Sequence, residues 1–231
     1  MRLHRFYLSQ QISDKNEVII DDEKLLHQIT SVFRMKNGDK IVLFDGSGTD
    51  YICEFEIGDI NRAKIISKEP SRFIPNKNVI LCQAVVKKDN FEFIVEKATE
   101  IGVSKIIPLI ASRSEKKNLN EERLGKIIIE ASEQSGRGNI PELKSIQQGL
   151  ENVLKSYRGK MVAFHTGENC LEIDKGGFTD KEIMVFIGPE GGWTDEEVAM
   201  FHKYNVPLYS LGKQVLRAET ASLIALYKVI S

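Results

Sequence analysis

Five short apolar runs limit the folds open to this chain of 231 residues. They lie at residues 79–86, 106–110, 161–164, 183–187 and 208–211, and each is nearly continuous in apolar character. Helical patterns fall between them: Phe91, Ile94, Val95, Ala98 and Ile101 share one helical face, and 121–135 has the same period. A strand that is apolar on both faces must be covered on both faces. Such strands alternating with helices predict a parallel α/β sheet.

The first 70 residues have a different rhythm. Residues 40–44 run into the turn Asp45-Gly46-Ser47-Gly48, residues 51–57 alternate apolar and polar, and Gly58-Asp59 turns the chain into 62–66. That pattern predicts a meander of short antiparallel strands. One helix interrupts it, with Asp21 or Asp22 as its cap and Leu25, Leu26, Ile29, Val32 and Phe33 on one face. A small β-barrel with one helix fits. The stretch 69–76, EPSRFIPN, carries two prolines and no periodicity, so it reads as a linker between domains at 1–72 and 73–231.

Composition narrows the function classes. With 42% hydrophobic and 28% charged residues, the chain has the makings of a packed core and none of the bias of a disordered one. Lys and Arg number 32 against 33 Asp and Glu, so bulk charge does not announce a nucleic-acid partner; a local basic face would suffice. Cys53, Cys82 and Cys170 form no C-x-x-C pair and no disulfide framework, and His4, His27, His165 and His202 are scattered. Reduced thiols in a cytoplasmic protein, with no metal site, are expected. No apolar run approaches the ~18 residues of a membrane span, and the N-terminus lacks the apolar centre of a signal peptide.

Two loops carry the chemistry. The run 183–187 leads into Gly188-Pro189-Glu190-Gly191-Gly192, after which Thr194 and Glu197 form a T-x-x-E capping box that starts a helix. The cap accounts for the second half of this stretch and not for the glycines. A tight turn is one reading of them. The other is a ligand, since glycines let backbone approach one and open α/β sheets bind ligands at the carboxyl ends of their strands. No Gly-Lys-Ser/Thr and no G-x-G-x-x-G is present, which argues against nucleotide phosphate. A second Gly loop, 211–221 (LGKQVLRAETA), again joins strand to helix, with Arg217 and Glu219 at the junction. A surface ion pair is the plain alternative for those two. Residues 221–230 are apolar nearly all round, so as a helix they need cover on both sides, for which a partner subunit is a natural source.

The stretches IGPEGGWTDEE (187–197) and LGKQVLRAETA resemble the cofactor-loop motifs of a SPOUT-class family, the bacterial 16S ribosomal RNA uridine-N3 methyltransferases. VEKATEIGVSKIIPL, SRS, EASEQSGRGNIPEL, HRFYL, HQITSVFRM and LFDGSG resemble further blocks of that family in the same order. Trp193 stands where a smaller apolar residue or Phe is expected. The resemblance implies a PUA-like RNA-binding barrel at 1–72 and a SPOUT methyltransferase domain at 73–231 with a C-terminal trefoil knot. It implies S-adenosylmethionine as cofactor, a homodimer, and the 16S rRNA of the small ribosomal subunit as partner, without a metal. The cofactor would be held by His165 and Thr166, by Ile187, Gly188, Pro189, Glu190, Gly191 and Gly192, and by Leu211, Gly212, Val215, Leu216, Arg217, Thr220 and Ala221.

Methylating uridine N3 requires an imide proton to leave and charge on the flanking carbonyls to be stabilised. Arg217, a permanent forked cation, suits the second task and cannot be a base. Glu219 and Glu190 could each accept the proton or hold the cofactor's amine, and His165 is a weaker base candidate. Glu219 joins Arg217 as the expected catalytic pair. Arg5, Arg34, Lys87, Lys88, Arg113 and Arg137 sit mostly at strand or helix ends and are the expected RNA contacts, although each alone reads as a solvated charge. A different nucleotide-cofactor enzyme and a non-catalytic RNA-binding adaptor are the competing classes.

Overall fold

The computed structural model describes residues 3–13, 15–173 and 177–231. The chain forms two compact units, Met1–Ile74 with Ser132–Ile140, and Pro75–Ala131 with Pro141–Ser231.

The first unit holds strands β1 (Arg5–Tyr7), β2 (Glu17–Ile19), β3 (Lys40–Phe44), β4 (Thr49–Glu56) and β5 (Arg62–Pro70) in one sheet, ordered β1-β3-β4-β5-β2. The β3-β4-β5 meander is antiparallel as its turns predict, but β1 pairs with β3 in parallel. No pairing joins β1 to β2 among the described residues, so the sheet path does not close. β5 reaches Pro70, because Ser67 to Pro70 keep pairing with Ile52 to Thr49; the first residues of the expected linker are therefore strand. Helix α1 (Glu23–His27) starts where Asp22 accepts from the backbone N–H groups of Lys24 (2.8 Å) and Leu25 (3.2 Å). One π-helical turn, Gln28–Val32, continues it. The wider turn rotates Val32 off the apolar face: Leu25 and Ile29 are buried, while Val32 is 62% exposed.

The second unit is a parallel sheet. Its strands are β6 (Asn78–Ala84), β7 (Lys105–Ile110), β8 (Glu142–Leu143), β9 (Gln147–Gln148), β10 (Lys160–Phe164), β11 (Glu182–Ile187) and β12 (Leu208–Tyr209). Their order is β12-β10-β11-β6-β7-β8, with β9 also on β7, and every pairing is parallel. The apolar runs fill the middle: Val79, Leu81, Val162, Ile183 and Val185 are fully buried. The helices are α2 (Lys88–Ile101), α3 (Glu121–Ser135, of which the part from Ser132 belongs to the first unit), α4 (Leu150–Ser156), α5 (Asp195–Lys203) and α6 (Ala218–Ile230). α2 stops at Gly102, whose φ of +119° allows the left-handed turn that returns its N–H to Ala98 O.

The terminal helix α6 is anchored on one side. Ala218, Ser222, Ala225, Leu226 and Val229 are buried, and the helix packs against α2, β6 and β11. A buried polar pair sets its register: Ser222 Oγ lies 2.6 Å from Gln83 Oε1 on β6, and both residues are inaccessible to solvent. Leu223 and Ile224 are only half-buried and Tyr227 is 67% exposed. No helix among the described residues is long and apolar enough to cross a membrane.

Candidate active site

β11, β10 and β12 are adjacent and parallel, so the loops after all three leave the sheet on one side. Together with the start of α2 they enclose a cavity of about 730 Å³. That lies in the range of small-molecule and cofactor sites. His165 and Thr166 follow β10, residues 187–193 follow β11, and Ser210 to Gly212 with Gln214 to Glu219 follow β12. The two glycine loops share one cavity. The run 208–211 is strand only as far as Tyr209, and Leu211 belongs to the cavity wall.

Each glycine of these loops has its own structural reason. A Cβ on Gly188 would sit 3.2 Å from the Trp193 indole, and one on Gly191 would sit 3.2 Å from Arg113 Cδ. Gly192 (φ +67°) and Gly212 (φ +132°) occupy conformations that other residues rarely adopt. The constraint at 188 and 191 thus comes from protein neighbours beside the ligand space. Trp193 has a defined place: it is 3% exposed, its indole N–H donates to Phe164 O (3.1 Å), and its ring meets Phe201 edge-on at 5.1 Å. The larger side chain fills the core beneath Gly188.

The helices that open at the cavity begin differently from α1 and α5. α1 and α5 begin at Asp22 and Thr194, side chains that accept from the first turn. In α5 both hydrogen bonds of the capping box are present. α2 and α6, which open at the cavity, begin instead at Lys87 and Arg217, neither with a side-chain cap bond. A cation at a helix N-terminus faces the positive end of the helix dipole. Two such choices bordering one cavity break a local folding rule where a functional site is expected to break it.

The carboxylates are held in place. Glu190 accepts from the backbone N–H of Lys87 (3.1 Å), and Glu219 from Asn90 Nδ2 (3.4 Å). Arg217 is exposed on the cavity wall. Burial pushes the His165 imidazole below its ordinary value of 6.5, against a smaller opposing pull from Asp195, so it is neutral at physiological pH.

His165, Thr166, Ile187, Gly188, Pro189, Glu190, Gly191, Gly192, Leu211, Gly212, Val215, Leu216, Arg217, Glu219 and Ala221 all line this cavity. Thr220 does not; it is exposed in the first turn of α6. Asn90, Phe164, Trp193, Ser210, Gln214 and Ala218 line it as well and were not expected. Ser210 and Phe164 are strand-end neighbours of expected residues. Asn90 is reached only through the placement of α2.

The six expected RNA contacts divide. Arg34, Lys87, Lys88 and Arg113 are exposed. Arg5 and Arg137 are buried, which corrects the expectation of phosphate contacts there. Arg5 pairs with Asp50 through Nη2 (2.7 Å) and Nε (3.1 Å), donates to Ser132 O (3.1 Å) and Arg137 O (3.2 Å), and stacks over Phe44 at 4.2 Å. Arg137 is inaccessible to solvent and donates to Asn139 Oδ1, and burial pushes its guanidinium down to about 10. In sequence Ser135-Gly136-Arg137-Gly138 looks like a flexible basic loop; in space its arginine is an internal tie of the first unit.

Residues 74–230 match the RNA methyltransferase domain family, and residues 20–66 match the RNA methyltransferase PUA domain. The chain is 28% identical to ribosomal RNA small subunit methyltransferase E of Rickettsia conorii over 99% of its length and 96% of the relative's. It is 30% identical to the protein of the same name from Bacillus subtilis, over 97% and 94%. Among solved structures it resembles ribosomal RNA small subunit methyltransferase E from Neisseria gonorrhoeae bound to S-adenosylmethionine (TM-score 0.86, 27% identity, 97% and 95% covered). A Legionella pneumophila structure in complex with the same cofactor is also similar (TM-score 0.88, 27% identity, 98% and 96% covered). With its parallel sheet, its two-loop cavity and a family match over most of its length, the chain belongs to the RNA methyltransferase family, among the ribosomal RNA small subunit methyltransferase E proteins.

Proposed function

We propose that this protein transfers a methyl group from S-adenosylmethionine to N3 of a specific uridine in the 16S rRNA of the small ribosomal subunit, acting in the cytoplasm. One observation carries the reading most: the loops after three adjacent parallel strands close on a single cavity whose bordering helices start with cations instead of caps. Its size and its mixture of apolar and polar wall residues, Phe164, Ile187 and Leu216 beside Glu190 and Glu219, fit an amphipathic cofactor. When bound, S-adenosylmethionine supplies an electrophilic methyl group on a sulfonium.

The chain's own residues divide the remaining work. Glu190 and Glu219 place negative charge in the cavity, suited to a cofactor amine or to the departing imide proton. Arg217 brings forked donors to the mouth, suited to the negative charge that develops on the uracil carbonyls as N3 loses its proton. Arg34, Lys87 and Lys88 offer exposed cations for phosphate. The PUA-type unit is assigned to RNA binding and the second unit to chemistry, with a trefoil knot in the C-terminal chain. The uncovered side of α6 is assigned to a homodimer.

Small-subunit RNA from cells lacking the gene is the direct test. A single uridine unmethylated at N3, restored by the purified protein with S-adenosylmethionine, is the expected result. Cofactor binding with no loss of any methylated uridine would turn the reading toward a non-catalytic RNA-binding adaptor.

A further inference from the structure

Arg113 projects from the loop after β7, two strands away from β11, yet it touches the β11 loop directly. Its Nη1 donates to Gly191 O at 2.7 Å and to Trp193 O at 3.4 Å. Its aliphatic stem lies over Gly191, whose missing Cβ would come within 3.2 Å of Cδ and 3.3 Å of Arg113's own Cβ. The loop it touches has little else to fix its middle. Gly188, Gly191 and Gly192 have no side chains, and the turn closes on one backbone hydrogen bond, Gly192 N–H to Pro189 O (2.9 Å). Trp193 anchors the far end in the core and Glu190 ties the near end to Lys87 N–H.

The base from which Arg113 projects is itself fixed. Glu197, 2% exposed, accepts from Ser112 N–H (2.8 Å) with one carboxylate oxygen and from Thr194 N–H (2.9 Å) with the other. One buried carboxylate thus joins the residue before Arg113 to the residue after Trp193. Ser114 Oγ accepts from Ala111 N–H (3.2 Å) and closes the turn on its other side. Arg113 is held at both neighbours and aimed at the glycine loop.

We propose that Arg113 is a positioning residue for the cofactor loop: its guanidinium and stem hold the 190–193 backbone in the shape that receives S-adenosylmethionine, and Gly191 is glycine to admit that stem. This rests on the cavity being the cofactor site and assigns Arg113 a task other than a simple phosphate contact. Charged donors to carbonyl groups are among the stronger hydrogen bonds, and one guanidinium nitrogen, Nη1, reaches both carbonyls.

The test compares the native protein with Arg113→Lys, Arg113→Ala and Gly191→Ala. Amide hydrogen exchange of residues 188–194 in the cofactor-free proteins is the first measurement, and S-adenosylmethionine affinity by calorimetry the second. Arg113→Ala is expected to speed exchange in this loop and to weaken cofactor binding by about 5- to 30-fold, with Lys recovering part of both. Exchange in α4 should stay native, which separates loosening of one loop from general unfolding. Gly191→Ala displaces the same stem, so the double variant should lose little more affinity than either single one. Native loop exchange in Arg113→Ala, or strictly additive losses, overturns the proposal. So does native cofactor affinity accompanied by weaker binding to small-subunit RNA, the signature of a phosphate contact. If the native protein binds no S-adenosylmethionine, the proposed function fails, while the exchange measurement still decides the role of Arg113.

Discussion

Arg217 occupies a position where a helix would favour a hydroxyl or carboxamide, and its side chain makes no cap bond. Arg217→Lys keeps the charge and removes the fork. If the fork meets charge developing on the uracil carbonyls, kcat should fall by roughly 10- to 1000-fold with little change in cofactor affinity, the order seen on removal of one oriented donor. Single-turnover rates on small-subunit substrate check this, and a near-native kcat ends the catalytic assignment. His165 gives a pH signature. Burial holds its imidazole below 6.5, so the neutral form prevails above that value and a proton is taken up only as pH falls through the lowered folded value. The unfolded chain binds that proton first, so this contribution to stability is present above 6.5 and lost on acidification. A charged imidazole in the cavity would also repel a sulfonium. Calorimetry between about pH 8 and about pH 5 should therefore show S-adenosylmethionine affinity falling toward acid, with His165→Asn flattening the curve. A native-like slope in that variant would assign the effect to another group.

Among the elements, α5 shows how a local signal acquires a tertiary role. Thr194 and Glu197 form a capping box that is legible in four residues of sequence, and the structure contains it. The same Glu197 carboxylate also receives Ser112 N–H from the β7 loop. Glu197→Ala should therefore cost more than a cap. Two backbone N–H groups lose a charged acceptor in a part-buried site, for an expected loss of about 2 to 3 kcal/mol in urea unfolding. A loss near 1 kcal/mol, that of a cap alone, would show that the β7 loop does not depend on this carboxylate. Elsewhere a local rule was overruled: Val32 has the sequence spacing of the α1 face, and one π turn carries it to solvent.

At the scale of the whole molecule, α6 is the element with unfinished burial. Its inner face is tied down by Ser222 and Gln83, while Leu223, Ile224 and Tyr227 keep apolar surface outside that contact. The proposed dimer would cover it. The native protein should sediment as a dimer at micromolar concentration, and Ile224→Glu, which would bury an unpaired charge in the interface, should sediment as a monomer with native helix content. A native monomer under the same conditions contradicts the dimer.

The sequence by itself determined the two-part organisation of patterns, the parallel class of the second sheet, the α5 cap and both glycine loops, because these depend on near neighbours and on periods of 2 and 3.6 residues. The resemblance named most of the cavity's wall residues and missed Asn90, Phe164, Trp193, Ser210, Gln214 and Ala218. Only the tertiary structure could show that Arg5 and Arg137 are internal ties, since a basic residue looks the same in sequence whether its partner is water or, as for Arg5, a carboxylate 45 residues away on Asp50. The same holds for Asn90 against Glu219, for Glu197 against Ser112, and for Arg113 over Gly191. Such pairs form only after strands distant in sequence become neighbours in a sheet, and no local period records which side chains will then meet.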